Sequence, residues 1–312
     1  MTALVCGSFA YDTIMVFQDQ FKNHILPDKV HKLNVAFLVP DMRREFGGCA
    51  GNIIYNLQLL EGSGLAMGTV GNDFSPYANW MDELKINREL IKEVGSSYTA
   101  QAFITTDLDD NQITAFHPGA MNLAHSESIP TDKDITLGMI SPDGKEGMVQ
   151  HASEFAEAGI PFFFDPGQGL PMFDRDELLQ FIDQATWVTV NDYEGEMIAD
   201  KTGLSLQQIS ERVEALIVTL GGNGSKIYTQ GEIIDIPSAK ASQLSDPTGC
   251  GDAYRAGLIY GIMNKMEWSI TGRIASLMGA IKMASHGTQN HRFTLTEFKQ
   301  EFSEQFDLSM EG

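Results

Sequence analysis

The sequence predicts an α/β protein, in which a mostly parallel sheet carries helices on both faces and a small separate β-sheet forms a lid. Three observations lead there. From about residue 119 onward, short apolar runs alternate with helical patterns, as parallel strands and their crossover helices do. Two Gly-rich turns, at 47–51 and 249–251, each open directly into a helical pattern. Two early β-rich stretches, 13–41 and 96–118, break the alternation and pair more naturally with each other than with the main sheet.

Leu4-Val5-Cys6-Gly7 reads as a first buried strand. The segment from Asp12 to Pro40 mixes β-branched and aromatic residues with charges, as strands exposed on one face do. Ile53 to Leu60 is helical, ended by Gly62 and Gly64. Leu65–Val70 is a short strand, and Pro76–Leu84 is helical. Ala102–Thr105 and Gln112–Phe116 flank an acidic turn, 107–111, and form a hairpin. Strands follow at Leu137–Ile140, Pro161–Phe164, Trp187–Val190 and Leu216–Thr219. Helices close the chain at Ala253–Met263 and Ile274–Ala284. The core thus takes residues 1–12, 42–95 and 119–312, and the lid 13–41 and 96–118. Ligands of such folds sit beyond the carboxyl ends of the strands.

The 312 residues suffice for a large core and a small appendage. Hydrophobic residues make up 43% and charged residues 20%, the balance of a soluble globular chain. No apolar run approaches the ~20 residues of a membrane span, and the N-terminus reads as a strand, not a signal peptide. Cys6, Cys49 and Cys250 lack the spacing of a zinc or redox motif, which points to a reducing compartment, the cytoplasm. A net charge of -21, with no long Lys or Arg run, argues against nucleic acid and anionic membranes as partners. A phosphate site in such a chain must be built locally, from backbone amides and a metal ion.

The strongest chemical signal is Asp246-Pro247-Thr248-Gly249-Cys250-Gly251-Asp252, followed at once by a helix. Glycines turn the backbone sharply and bring successive N–H groups to one side, and the positive end of the helix favours an anion there. Asp252, at the helix start, is placed to accept a proton from an attacking hydroxyl. On residues alone, a tight strand–helix turn capped by Asp252 explains the pattern equally well. Phe46-Gly47-Gly48-Cys49-Ala50-Gly51-Asn52 is a second Gly-rich helix entry, suited to holding sugar hydroxyls through close backbone and the Asn52 amide. A plain turn capped by Asn52 is its structural reading.

Together these segments resemble the two signatures of the ribokinase-like (PfkB) carbohydrate kinase family, Gly-Gly-x-x-x-Asn early and Asp-Thr-x-Gly-Ala-Gly-Asp-Ala-Phe late, in order, separation and total length. The resemblance covers essentially residues 1–300. It implies a three-layer α/β/α core with ATP and Mg²⁺ as cofactors. It makes Asp252 the catalytic base and Gly249, Cys250 and Gly251 the anion hole, Cys250 through its backbone N–H. Asp12 is implied to bind two sugar hydroxyls beside Gly47, Gly48 and Asn52. Asn191 and Glu194 match the family's Asn-x-x-Glu motif, which organises magnesium-bound phosphates through water; as residues they read as a helix cap and an acidic first turn. Thr219, Gly221 and Gly224 match a turn along the nucleotide, and Ala284, His286 and Gly287 fall where the family closes over adenine. Asp165, at a strand end, is left a supporting role near the phosphates. Pro247 stands where the family has Thr and leaves a monovalent-cation site near Asp246 in question.

The acceptor is read as a nucleoside, adenosine first, phosphorylated on its 5′-hydroxyl in purine salvage. Aromatic residues at the lid, Tyr11, Phe17, Phe21, Phe37 and Phe116, together with Met121, offer an apolar slot for a base, with Phe116 and Phe37 as candidate walls. The chain also resembles the bacterial adenosine kinase-like members through Phe-Gly-Gly-Cys-Ala-Gly-Asn and Thr-Ala-Phe-His-Pro-Gly-Ala-Met. A ribokinase- or fructokinase-type sugar kinase, and a non-catalytic sensor on the same fold, are the alternatives. A dinucleotide-dependent oxidoreductase would need Gly-x-Gly-x-x-Gly after the first strand, which Gly7 to Asp12 does not supply. A monomer or a homodimer fits equally.

Overall fold

The computed structural model describes residues 1–25, 34–109 and 111–310. The part of the 13–41 stretch from 26 to 33, and residue 110 of the acidic turn, lie outside the described residues. In chain order the strands are β1 (Ala3–Cys6), β2 (Ala10–Val16), β3 (Asp41–Gly47), β4 (Gly64–Gly71), β5 (Leu90–Val94), β6 (Ala100–Thr106), β7 (Gln112–His117), β8 (Leu137–Ile140), β9 (Phe162–Phe164), β10 (Trp187–Asn191), β11 (Ala215–Thr219), β12 (Ser225–Thr229) and β13 (Glu232–Ile236). The helices are α1 (Cys49–Leu59), α2 (Ser75–Glu83), α3 (Lys145–Glu157), α4 (Arg175–Gln184), α5 (Asp192–Thr202), α6 (Leu206–Ser210), α7 (Cys250–Met263), α8 (Trp268–Met283) and α9 (Leu295–Phe306).

Among the described residues, nine strands form one sheet in the order β13-β12-β11-β10-β9-β8-β1-β4-β5. It is parallel from β11 to β5, and β12 and β13 join its edge antiparallel. The central strands are buried on both faces, which is why they read as unbroken apolar runs. Alternation along each strand still divides the core. Val5, Phe163 and Ile217 face the layer holding α1, α7 and α8, while Leu4, Phe162, Phe164 and Val218 face the layer holding α3, α4 and α5. The result is the three-layer core that the alternation of strands and helices predicts.

The early β-rich stretches do form a separate sheet, in the order β3-β2-β6-β7. Strand β2 runs parallel to β6, and β6–β7 is the expected hairpin. The boundaries drawn at 12/13 and 41/42 fall inside strands. Ladder pairing runs from Val16↔Asp41 to Ala10↔Gly47, so residues 10–12 and 42–47 belong to the small sheet. The mixed, charged Asp41-Met42-Arg43-Arg44-Glu45 carries no period-2 signal, and its pairing to β2 decides its state. Strand β5 and the β12–β13 hairpin were not anticipated; β13 is mostly exposed and β5 half-exposed, without the apolar run that marks a buried strand.

Candidate active site

Helix α7 starts where the sequence places it. Gly249 caps it at φ 79, ψ 2, a left-handed conformation that glycine adopts without strain. The first-turn N–H groups of Gly251 and Asp252 have no carbonyl behind them inside the helix and face outward with its positive end. The N–H of Cys250 is used otherwise: it donates to the Pro247 carbonyl at 3.1 Å and closes the turn. The Cys250 N–H expected to face an anion is therefore already satisfied within the turn. Burial pushes the Cys250 thiol up to about 11, so it stays protonated.

Two cavities meet at Gly251. The larger, about 530 Å³, is lined by Ser8, Asp12, Gly48, Cys49, Asn52, Phe116, Met121, Gly249, Gly251 and Asp252, among others. The smaller, about 250 Å³, is lined by Thr219, Gly221, Gly224, Ala280, Met283, Cys250 and Gly251 on mostly apolar walls. The helix start thus separates a chamber holding two carboxylates from an apolar slot beside the Thr219–Gly224 turn. An adenine-bearing triphosphate fits this pair of spaces: an apolar slot for the base, and free helix N–H groups for the phosphates.

Asp252 sits at the floor of the larger cavity. Its Oδ2 accepts from Asn52 Nδ2 at 2.8 Å. Burial pushes its carboxyl up to about 6, against the lowering effect of that hydrogen bond. Such a carboxyl is ionised at neutral pH and still basic enough to take a proton. Asp12 lies on β2, in the small sheet, and lines the same cavity. Burial raises it too, to about 6, reinforced by the neighbouring charges of Glu45 and Asp246. Gly47 makes room for it: a Cβ there would lie 2.7 Å from Asp12 Oδ2.

The other expected residues divide. Thr219, Gly221 and Gly224 line the smaller cavity, and Phe116 the larger. Phe37 does neither. It packs on Phe17 and Phe21, ring centroids 4.8 and 5.0 Å away, and fills the small sheet's own apolar cluster, so it is not a wall of the acceptor chamber. Ala284, His286 and Gly287 lie past the end of α8 and line neither cavity; the Gly287 N–H holds Asp246 Oδ2 at 2.9 Å. Asn191 and Glu194 form a capping box on α5, each side chain accepting from the other's N–H at 2.8 Å. Burial and the nearby Asp165 raise the Glu194 carboxyl. Among the described residues no cluster of three His, Cys, Asp or Glu side chains is placed to hold a metal, and neither Asn191 nor Glu194 lines either cavity.

Several residues were not legible. Asp165 makes a buried two-pronged ion pair with Arg255, both contacts 3.0 Å, one helical turn beyond Asp252. Arg255 follows the family pattern directly, one residue after Tyr254, and that place was its only signal. Lys282 is fully buried; its Nζ donates to the carbonyls of Asp246 (2.7 Å) and Ser285 (3.0 Å), with Asp246 Oδ2 at 4.0 Å. A lysine on the apolar face of a predicted helix was the signal there. Gln289, 3% exposed, gave none.

The pfkB family carbohydrate kinase model matches residues 10–294, spanning both helix-entry motifs and both cavities. The chain belongs to the pfkB family of carbohydrate kinases. It is 31% identical over 266 residues to a nucleoside kinase of Methanocaldococcus jannaschii, covering 85% of this chain and 87% of that protein. The structure of Burkholderia thailandensis nucleoside kinase in complex with inosine superposes with a TM-score of 0.90 at 50% identity, covering 98% of this chain and 99% of that one. The same enzyme in complex with ADP-inosine superposes with a TM-score of 0.87 at 52% identity, covering 98% and 97%. These likenesses span the core and the small sheet alike. Asp252 lines the larger cavity next to Gly251, which lines both. No helix among the described residues is long and apolar enough to cross a membrane.

Proposed function

We propose that this chain is an ATP-dependent nucleoside kinase that transfers the γ-phosphoryl group to the 5′-hydroxyl of a nucleoside, adenosine first, giving AMP. One observation carries the reading: Asp12 and Asp252 line a single 530 Å³ chamber whose wall also includes Phe116 and Met121. A free sugar needs polar donors all round, whereas a nucleoside needs a carboxylate for its ribose hydroxyls and apolar surface for its base. The nucleoside kinases among its relatives support the same class.

In this reading Asp12 accepts the 2′- and 3′-hydroxyls, which leaves the 5′-hydroxyl toward Asp252. Asp252 takes the proton as that oxygen attacks phosphorus, and the N–H groups of Gly251 and Asp252 stabilise charge on the transferring group. ATP places its base in the smaller cavity. Glu194 would hold a magnesium ion brought by the phosphates, through water, and the ion would supply charge neutralisation there. The small sheet closes over the nucleoside and keeps water from the phosphoryl group. The three free thiols support the cytoplasm as its compartment.

ADP release from purified protein tests this against adenosine, inosine, guanosine, cytidine, ribose and fructose. Adenosine is expected to give the highest kcat/KM. Faster turnover of ribose or fructose than of every nucleoside would replace the nucleoside reading with a sugar kinase.

A further inference from the structure

Behind the catalytic carboxylate lies a chain of amides whose direction is fixed from its far end. The Trp80 indole Nε1 can only donate, and it donates to Gln289 Oε1 at 3.0 Å. The Gln289 oxygen is thereby identified, so its Nε2 is the donor on the other side. That nitrogen donates to Asn52 Oδ1 at 3.0 Å and to the Tyr77 hydroxyl at 2.5 Å. The Asn52 oxygen is now occupied, so its Nδ2 is the atom left to face Asp252. The Tyr77 hydroxyl, having accepted, donates to the Gly47 carbonyl at 3.0 Å, at the end of β3 beside Asp12.

We propose that Gln289 is a positioning residue for phosphoryl transfer: it locks the Asn52 amide so that a donor always meets Asp252, and Trp80 locks Gln289. An asparagine free to flip can offer either end of its amide to a carboxyl. Facing its oxygen, Asp252 is comfortable only when protonated, and a protonated Asp252 is no base. The locked amide removes that alternative. The same glutamine reaches Gly47 through Tyr77, so the catalytic carboxylate and the edge strand of the small sheet share one anchor.

Other groups bear on Asp252 as well: the Asp165–Arg255 pair, the thiols of Cys49 and Cys250, and the Tyr77 hydroxyl. None of them is touched by substitution of Gln289 or Trp80 except Tyr77, which keeps its bond to Gly47.

The proposal rests on Asp252 being the base, and its test separates the two. The pH dependence of kcat is measured for the wild type, Gln289→Leu and Trp80→Phe, on whichever acceptor the wild type turns over best. Gln289→Leu is expected to move the acidic limb upward by about one pH unit, the size expected when a carboxylate's hydrogen bond is no longer held. Trp80→Phe, which keeps a ring against Phe46, should move it the same way by less, with the KM for ATP unchanged in both. If Gln289→Leu does not fold, Trp80→Phe decides alone. An acidic limb identical to wild type in the folded variants, with kcat merely lowered, overturns the proposal. Carboxyl ¹³C resonances of Asp252 read the same shift without turnover, so a wild type that transfers nothing would sink the kinase reading and leave the relay still decided.

Discussion

Asn52 presents its amide nitrogen, not its oxygen, to Asp252, at 2.8 Å across 200 residues of sequence. Helix α1 and helix α7 are thereby tied at their N-terminal ends.

Removing the charge while keeping the shape isolates the chemistry. Asp252→Asn is expected to lower kcat by about 10²–10⁴-fold, the usual contribution of a general base. ADP affinity should be almost unaffected, because the helix N–H groups remain. A kcat within a fewfold of wild type would reduce Asp252 to a helix-start residue.

Acid should inactivate through both carboxyls. Burial raises Asp252 and Asp12 each to about 6, and both work only when ionised, so activity is present above that pH and lost as pH falls through it. In the free enzyme both titrate, and kcat/KM should fall about 100-fold per pH unit well below 6. With ribose hydroxyls bound to Asp12, kcat should fall only about 10-fold per unit. Stability moves oppositely. The folded carboxyls bind protons more tightly than unfolded ones, so these two sites favour the folded state increasingly as pH drops from 6 toward 4. Parallel slopes for kcat and kcat/KM would remove Asp12 from acceptor binding.

The two aromatic candidates are now distinguishable. Phe116→Ala should weaken nucleoside binding by about 1–3 kcal/mol, the scale of base–aromatic stacking. Phe37→Ala should leave nucleoside KM near wild type and lower Tm, because its ring packs on Phe17 and Phe21. Calorimetric titration and thermal melts of both variants check the division. Hydrogen exchange adds a test of closure: adenosine should protect β6 and β7 and leave β11 unchanged.

Lys282 bears on ion dependence. Its buried ammonium binds the carbonyls of Asp246 and Ser285, at the root of the loop leading to Gly249. A fixed cation already organises that loop, so rates should be the same in sodium, potassium and choline chloride. Lys282→Ala should lose activity and stability together, since Asp246 is then left without its charge partner. Added potassium, but not choline, should recover part of the rate. Strong potassium activation of the wild type would contradict this.

Magnesium dependence tests Glu194. Glu194→Gln keeps an oxygen for the Asn191 N–H, so α5 should remain capped, but the magnesium concentration for half-maximal rate should rise. An unchanged requirement would leave Glu194 as a capping residue only.

Much of this site was readable because its geometry is local. A Gly-x-Gly run before a helix states both the turn and the direction of its amides, so the start of α7 and the place of Asp252 on its first turn followed from a dozen residues. The strands of the main sheet were readable for a similar reason, since burial on both faces leaves an unbroken apolar run. What could not be read depends on partners far apart in sequence. Nothing near Gln289 announces that it will meet Asn52, Tyr77 and Trp80, and nothing in Asp41–Glu45 specifies pairing to β2. Phe37 shows the converse: aromatic content marked the small sheet, but only packing decides which ring turns inward to a neighbour and which lines the cavity.

Gly251 borders both cavities, so no side chain stands at the point where they meet. If ATP and the acceptor nucleoside take these two spaces as proposed, they are neighbours across one glycine. A single molecule carrying two nucleosides at the ends of a polyphosphate bridge would therefore fill both chambers at once. The bridge length that binds tightest would count, in phosphate units, the distance the phosphoryl group has to cross.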